Sequence, residues 1–592
     1  MKKTLILLLL LANNLVGLAQ ESILVKFKVD ASSLNNITDF GVRGGASPLS
    51  WEKTVLLQDA DKDGIYEGEI HFAQNIEVLE YKYVYGDKAV VWELEAQNRI
   101  LLTNNAQIQT NDTWNLPSPL DVKKLPKISA EKLTEDFHLL KKALLDIHPG
   151  LYRYNTKAQI DSIFRHFQEI FSKPLTYQEA FLNFTRLTSA IKCGHTFPSF
   201  YNQTGFIQEV VLNQKDKLPF TFRVFDEKIF ITGNAMEGAE IRPGTEILAI
   251  DGIPTPILLK ETAKLVKADG ANDGKRYADL NTFGVGTYFE MFDCYFPLLY
   301  PPVNAQYTVK IRRPGSEKTE ELKVNTVSRA ERTNVLIKQN PKHITKADQL
   351  WKLEFWENST AYLQLGTFDV FQLSFEWSTF LKNAFKEIKN RKTKHLIIDI
   401  RWNEGGQDEV LLFIGQNISQ QAIKIPLRKD LVRYNLISAE LKPYLFTWDN
   451  TFFDLSQKTA PYNDDYFLFT GENITEVQPY KNAFDGNVYL LVNGTNSSAT
   501  FYFAEIAKEN KLATLIGETT GGSQNGLNAG TMFFLRLPHS KIEIDIPIIG
   551  SFSNEKAAGG IVPDIIVHPT VEDLVKGEDK VLSVTREIIE KK

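Results

Sequence analysis

A chain of 592 residues, 43% hydrophobic and 24% charged, has ordinary globular composition and is too long for one core, which favours about three or four domains. Its net charge of −6 leaves no basic footprint and argues against a nucleic-acid partner. The two cysteines, Cys193 and Cys294, permit one disulfide and exclude a disulfide scaffold. At the start, Lys2 and Lys3, the apolar run Leu5 to Ala12, and Gly17 and Ala19 read as a signal peptide over 1–19, so export to the periplasm or beyond is expected. That run falls short of the roughly 20 apolar residues of a membrane span. No later stretch reaches that length, and no cysteine follows the cleavage site to carry a lipid.

Residues 20–115 read as an all-β sandwich, with alternating runs such as Ile23 to Val29 and Val78 to Val84. Asp59-Ala60-Asp61-Lys62-Asp63-Gly64 opens like a calcium loop, but Ile70 stands where the terminal carboxylate belongs, so a β-turn is expected. Trp51 after a Gly-rich turn, Asp63 to Tyr66, Tyr81-Lys82-Tyr83, Trp92-Glu93, Asn98-Arg99 and Asp112-Thr113-Trp114 together resemble the starch-binding, family-twenty type of carbohydrate-binding module. The resemblance implies a glycan platform made of Trp51, Lys82 and Trp92, since aromatic faces stack on sugars. Tryptophans in a small sandwich also serve as core anchors.

A Pro-containing linker, 116–129, leads to a helical subdomain, 130–206. Leu133, Phe137, Leu140 and Leu144 can share one helix face, and Ile163, Phe167 and Ile170 another. His138 and His166 fall on helix surfaces. Near the exit, Cys193-Gly194-His195-Thr196 gives His195 freedom to reach a cleft. Residues 207–345 read as a β module with an insertion, 268–302. The strands Pro219 to Val224 and Lys228 to Ile231, the segment Ile241 to Gly252 and the strand Tyr307 to Arg313 resemble a PDZ domain, which takes extended peptide as an added strand. The Gly- and aromatic-rich insertion is placed to cover that groove or a neighbouring cleft.

Residues 346–592 carry an α/β pattern. A helix over Trp377–Lys389 precedes the buried strand Leu396–Ile400 and then Asn403-Glu404-Gly405-Gly406, where two glycines allow close backbone approach. Residues Ile425 to Asp485 show few regular patterns and read as an excursion. The strand Val488–Val492, a polar knot Asn493 to Thr500, a helix over about Ser498–Asn510 and the strand Ala513–Ile516 form a βαβ unit. A serine at that helix start lies at the carboxyl end of a parallel strand, among amides with no intrahelical acceptor. It can be an N-cap or a nucleophile beside an oxyanion site.

The motif Asp399 to Gly406, Asn493 followed by Ser498-Ala499, Gly517-Glu518-Thr519-Thr520-Gly521-Gly522 and Gly560-Ile561-Val562-Pro563-Asp564 occur in the order that resembles the tail-specific, or C-terminal processing, serine peptidases. The resemblance covers roughly 130 to 570 and implies a crotonase-like (ClpP/crotonase) α/β core acting on polypeptide substrates. It implies Ser498 as nucleophile, Ser497 as runner-up, and the N–H groups of Gly406 and Ala499 as oxyanion hole. The position where one branch carries a lysine base is Ser523. The tricorn-like branch uses a histidine in a Gly-His-Thr context, matched by His195, oriented by a glutamate whose nearest candidate is Glu555; Ala557 occupies the expected site. The residues named require no metal or organic cofactor. The competing reading is a degenerate peptidase scaffold that binds glycan or peptide.

Overall fold

The computed structural model describes residues 22–591 except 36, 74–75, 77, 88, 94–97, 104, 117–119, 237, 239, 286–287, 289, 472–473, 554–555 and 557. The expected signal peptide and Glu555 therefore lie outside the described residues. No helix among those described is long and apolar enough to cross a membrane. The chain forms two compact units, 1–127 with 204–210, and 128–203 with 211–592.

The first unit is β-rich. Its central strand Ser22–Asp30 pairs antiparallel with Ile65–Ala73 and parallel with Gln107–Gln109. In a second sheet Val78–Tyr85 pairs with Gly41–Gly44 and Arg99–Leu102. Alternation does the sorting: Val25, Phe27 and Val29 are buried against Tyr81 and Tyr83 of the other sheet, while Lys26 and Lys28 face out to Glu69 and Glu67. A buried arginine, Arg99, is compensated by Glu93 at 2.6 Å and Asp112 at 3.0 Å, as an ion withdrawn from water requires.

The second unit begins with helices α1 (Ala130–Ile147), α2 (Lys157–Phe171) and α3 (Tyr177–Ala190). The expected α1 face is buried. In α2 the buried set is Ile160, Phe164, Phe167 and Phe171, not Ile163 and Ile170. Phe171 stacks on Phe137 and Phe184 at 5.7 and 4.3 Å, and this aromatic row turns the helix. His138 and His166 are exposed.

Next comes a sheet of β1 (Phe220–Phe225), β2 (Lys228–Asn234), β3 (Glu246–Ile250), β4 (Gln306–Arg312) and β5 (Thr319–Asn325), in that order. Between β3 and β4 lie α4 (Thr255–Ala263) and, in the insertion, α5 (Asp273–Ala278) and α6 (Met291–Leu299). The insertion covers the outer edge of β1. Phe222 and Thr282 exchange backbone hydrogen bonds of 2.8 and 3.0 Å, the Asn281 side chain accepts from Val224 N–H at 2.8 Å, and Phe292 of α6 packs on Phe222.

The α/β core is a six-stranded sheet ordered β6 (Trp351–Trp356), β7 (Thr360–Leu365), β8 (His395–Asp399), β9 (Asn487–Val492), β10 (Thr514–Gly517) and β13 (Ile565–Ile566), parallel from β7 onward. Helices α7 (Trp377–Asn390), α8 (Asp408–Ile418) and α9 (Ser498–Glu509) bury one face through Leu396, Ile398, Leu490 and Val492. The other face packs Ile397, Tyr489 and Leu491 with Val581 and Ile589 of α10 (Lys580–Glu590). Strands buried on both faces read as unbroken apolar runs, which is why β8 and β9 were visible.

The stretch from Ile425 to Asp485 is more regular than expected. Lys429–Val432, Leu445–Phe446, Thr459–Pro461 and Phe467–Phe469 join β11 (Asn528–Arg536) and β12 (Glu543–Phe552) in a further six-stranded sheet. Strands of two to four residues are too short for alternation to show.

Candidate active site

The knot after β9 is held by its own side chains. Asn496 Oδ1 accepts from Asn493 N–H at 2.8 Å, and its Nδ2 donates to the carbonyls of Ile400 and Asn403 at 2.6 and 3.0 Å. Thr500 Oγ1 donates to Asn403 O at 2.8 Å. The end of β9 is thereby stitched to the loop leaving β8. Ser497 occupies the N-cap position of α9 but makes no side-chain cap; its hydroxyl donates to Glu404 O at 3.1 Å. Ser498 is partly exposed and has φ of 52°, a left-handed conformation costly for a residue with a Cβ. Its hydroxyl has no hydrogen bond among the described residues.

Facing it is the loop after β8. Asn403 is fully buried, accepts from Gly405 N–H at 2.9 Å and Phe368 N–H at 3.2 Å, and donates to Leu365 O at 2.8 Å. Gly405 and Gly406 have φ of 112° and 138°, open to glycine. A Cβ on Gly405 would lie 2.7 Å from Ser498 Cβ and 3.0 Å from Ala499 N; one on Gly406 would lie 2.0 Å from the Phe368 carbonyl carbon. The structure thus brings Gly405, Ser498 and Ala499 into direct apposition. The N–H groups of Gly406 and Ala499 have no acceptor among the described residues.

His195 follows α3 on a segment fixed at both sides: Gly194 N–H donates to Asp269 at 3.1 Å, and Thr196 Oγ1 is 2.8 Å from His148 Nε2. The residue is partly exposed, yet its Nδ1 is buried without a hydrogen-bond partner among the described residues. No hydrogen bond joins it to Ser498. Burial, then the charges of Lys267 and Lys275, push its pKa down to about 3, with Glu404 opposing. Those three residues form one cluster: Lys267 and Lys275 Nζ each lie 3.0 Å from Glu404 Oε2, and Lys275 also lies 2.9 Å from Asp279.

Glu555 is outside the described residues; its neighbour Lys556 is tied to Glu505 on α9 at 2.8 Å. At the position of the other branch's lysine, Ser523 donates to Asn525 at 2.7 Å. Cys193 and Cys294 are free and buried, and burial pushes their thiols up to about 11 and about 12, out of the reactive range. Lys267 and Lys275 carried no local signal, because their partner Glu404 is more than a hundred residues away in sequence.

In the first unit, Trp51 and Trp92 are 36% and 39% exposed, their rings 6.4 Å apart, with the Arg43 guanidinium 5.1 Å over Trp92. Lys82 departs from expectation. It is only 8% exposed, opposite Arg43 across the sheet, and burial lowers its pKa while Glu93 opposes; it is not an exposed member of the platform. Asp59 spends its carboxylate on the N–H groups of Asp63 and Gly64, as the expected turn requires.

A partly exposed serine at a strand-to-helix turn thus faces, across a glycine pair, amides that have no acceptor among the described residues, an arrangement chemically able to receive a carbonyl. Residues 359–567 match the model of Peptidase family S41, so the chain carries a serine-type peptidase domain of that family. Among solved structures, mature CPAF is 13% identical, with 78% of this chain and 98% of that chain covered and a TM-score of 0.53. Mature CPAF complexed with lactacystin is 14% identical, covering 78% and 99%, with a TM-score of 0.52. The photosystem II D1 C-terminal processing protease is 13% identical, covering 76% and 98%, with a TM-score of 0.35. At such identities the two CPAF likenesses establish a shared fold. No curated protein matches the chain.

Proposed function

We propose that this protein is a serine endopeptidase in which Ser498 is the nucleophile and His195 the base. The observation that carries the reading is Ser498 itself, held at φ of 52° with a free hydroxyl at the carboxyl end of a parallel strand. Strain of this kind persists only where the surroundings impose it, and it clusters at sites of chemistry. Ser498 Oγ attacks the scissile carbonyl while its proton passes to His195. The N–H groups of Gly406 and Ala499 receive the oxyanion, the C–N bond breaks, and the amine leaves with the proton from His195. Water then repeats the sequence on the acyl-enzyme. The missing hydrogen bond between the pair is compatible with a resting state, since such contacts tighten once substrate binds.

A fluorophosphonate probe tests this. Labelling of the full chain, abolished in Ser498→Ala and retained in Ser497→Ala, is the expected result. The second reading, a degenerate scaffold that binds peptide or glycan, draws on the unpartnered Nδ1 of His195; a folded chain that never labels would establish it. The half-exposed Trp51 and Trp92 support glycan binding in the first unit, as aromatic faces that stack on sugar rings. Retention on amylose is expected to disappear in Trp92→Ala, and a chain that passes amylose unretarded would remove the glycan.

A further inference from the structure

We propose that Lys275, on the inserted helix α5, is a positioning residue for the oxyanion hole, acting through Glu404. The inference rests on the Ser498 reading above. Lys275 is 1% exposed and its ammonium has three oxygen neighbours: Glu404 Oε2 at 3.0 Å, Asp279 Oδ2 at 2.9 Å and Thr495 O at 3.4 Å. Glu404 immediately precedes Gly405 and Gly406. Thr495 belongs to the knot that ends in Ser498. One buried cation therefore grips both walls of the site, the loop that offers the Gly406 N–H and the turn that offers Ser498 and the Ala499 N–H.

The grip is reinforced from other directions. Lys267 supplies a second ammonium to the same Glu404 oxygen at 3.0 Å while resting on the Phe197 ring at 4.8 Å. The Glu404 carbonyl accepts from Ser497 Oγ, so backbone and side chain of one residue are held by different elements. The insertion is itself anchored on β1 through Thr282 and Asn281. A glycine pair at φ of 112° and 138° has no conformational preference of its own to hold its N–H groups in line. Buried charge-assisted contacts can, because leaving any member unpaired is costly. Donors fixed in advance are what an oxyanion hole needs, and losing one commonly lowers kcat by about 10²–10³-fold.

The charges that face His195 from the packed elements are Lys267 and Lys275, both cationic, and Glu404, anionic. Removing Lys275 therefore also removes a cation that opposes protonation of His195.

The test compares wild type, Lys275→Met, Glu404→Gln and Ser498→Ala in hydrolysis of a denatured polypeptide, with circular dichroism to establish folding. In folded Lys275→Met, kcat is expected to fall by about 10²-fold or more with KM within about threefold, and the acidic limb of kcat/KM to move to higher pH. The limb reports only the charge facing His195; the loss of kcat at nearly constant KM on the pH plateau is what a lysine acting on His195 alone would not produce. Should Lys275→Met fail to fold, Glu404→Gln, which keeps both lysines and the shape, carries the same kcat-selective loss. Either folded variant whose plateau kcat stays within about threefold of wild type overturns the proposal, whether or not the limb moves. Wild type that neither labels nor hydrolyses, like Ser498→Ala, instead removes the peptidase reading on which it rests.

Discussion

Gly406 offers the sharpest single-residue test of the loop. At φ of 138° a side chain is strained wherever it points, and here a Cβ would fall 2.0 Å from the Phe368 carbonyl carbon. That neighbour is backbone, tied to the same loop by Phe368 N–H to Gly405 O at 3.0 Å and Gln407 N–H to Phe368 O at 2.9 Å, so it cannot swing aside. Gly406→Ala is expected to cost about 1–3 kcal/mol of stability and to lower kcat/KM by about 10²-fold, measured by urea unfolding and peptide hydrolysis. Normal activity would remove this N–H from the proposed hole. At the residue scale the sequence reveals backbone placement: the glycine pair after β8 and the serine after β9 stand at strand ends and face each other. It does not reveal the lysines around Glu404, because a contact spanning 129 or 137 residues leaves no trace in spacing. Lys82 misled for a related reason, since an aromatic neighbourhood does not reveal whether a lysine lies on a surface or beneath it.

Among the elements, success followed the strength of the periodic signal. β9, α9 and β10 lie within one or two residues of their expected bounds, since a strand buried on both faces is an uninterrupted apolar run. α2 shows the limit. Its helix is evident in the sequence but its buried face is not, because several apolar arcs compete on one helix and only stacking against Phe137 and Phe184 chooses among them. The insertion was expected to cover a groove or a cleft, and it covers the outer edge of β1. Its helices were hidden, α5 by its six-residue length and α6 by an internal Pro297. A consequence concerns peptide recognition by strand addition. The Phe222 and Val224 amides that would greet an added strand are already bonded to Thr282 and Asn281, so this edge is satisfied by the chain itself.

Acid sensitivity emerges at the scale of the whole second unit, from His148 just after α1, beside the sheet that contains β11. His148 is fully buried. Its Nδ1 accepts from Gly150 N–H at 3.1 Å, which leaves Nε2–H to donate to Thr196 Oγ1 at 2.8 Å. Gly150 packs directly on Asn528 of β11, and Pro149 O accepts from Tyr466 at 2.8 Å. A proton on Nδ1 would set N–H against N–H, and burial, followed by the charges of Arg153 and Arg433, pushes the pKa down to about 3. The unfolded chain binds this proton near pH 6.5, so between those values it holds more protons than the folded protein. The contribution of neutral His148 is therefore complete above about pH 6.5, shrinks as pH falls, and is exhausted near pH 3 after at most about 5 kcal/mol. His195 acts in the same direction, whereas Asp545, raised by burial to about 7, acts in the opposite one, so the raw pH profile mixes them. The difference between wild type and His148→Gln isolates the term. Glutamine does not titrate there, and the stability advantage of wild type measured at pH 7 is expected to narrow steadily from pH 6.5 downward and to vanish or reverse by about pH 4. Urea-unfolding curves for the two proteins that stay parallel over that range would show that His148 keeps an ordinary pKa and does not set the acid limit of the fold.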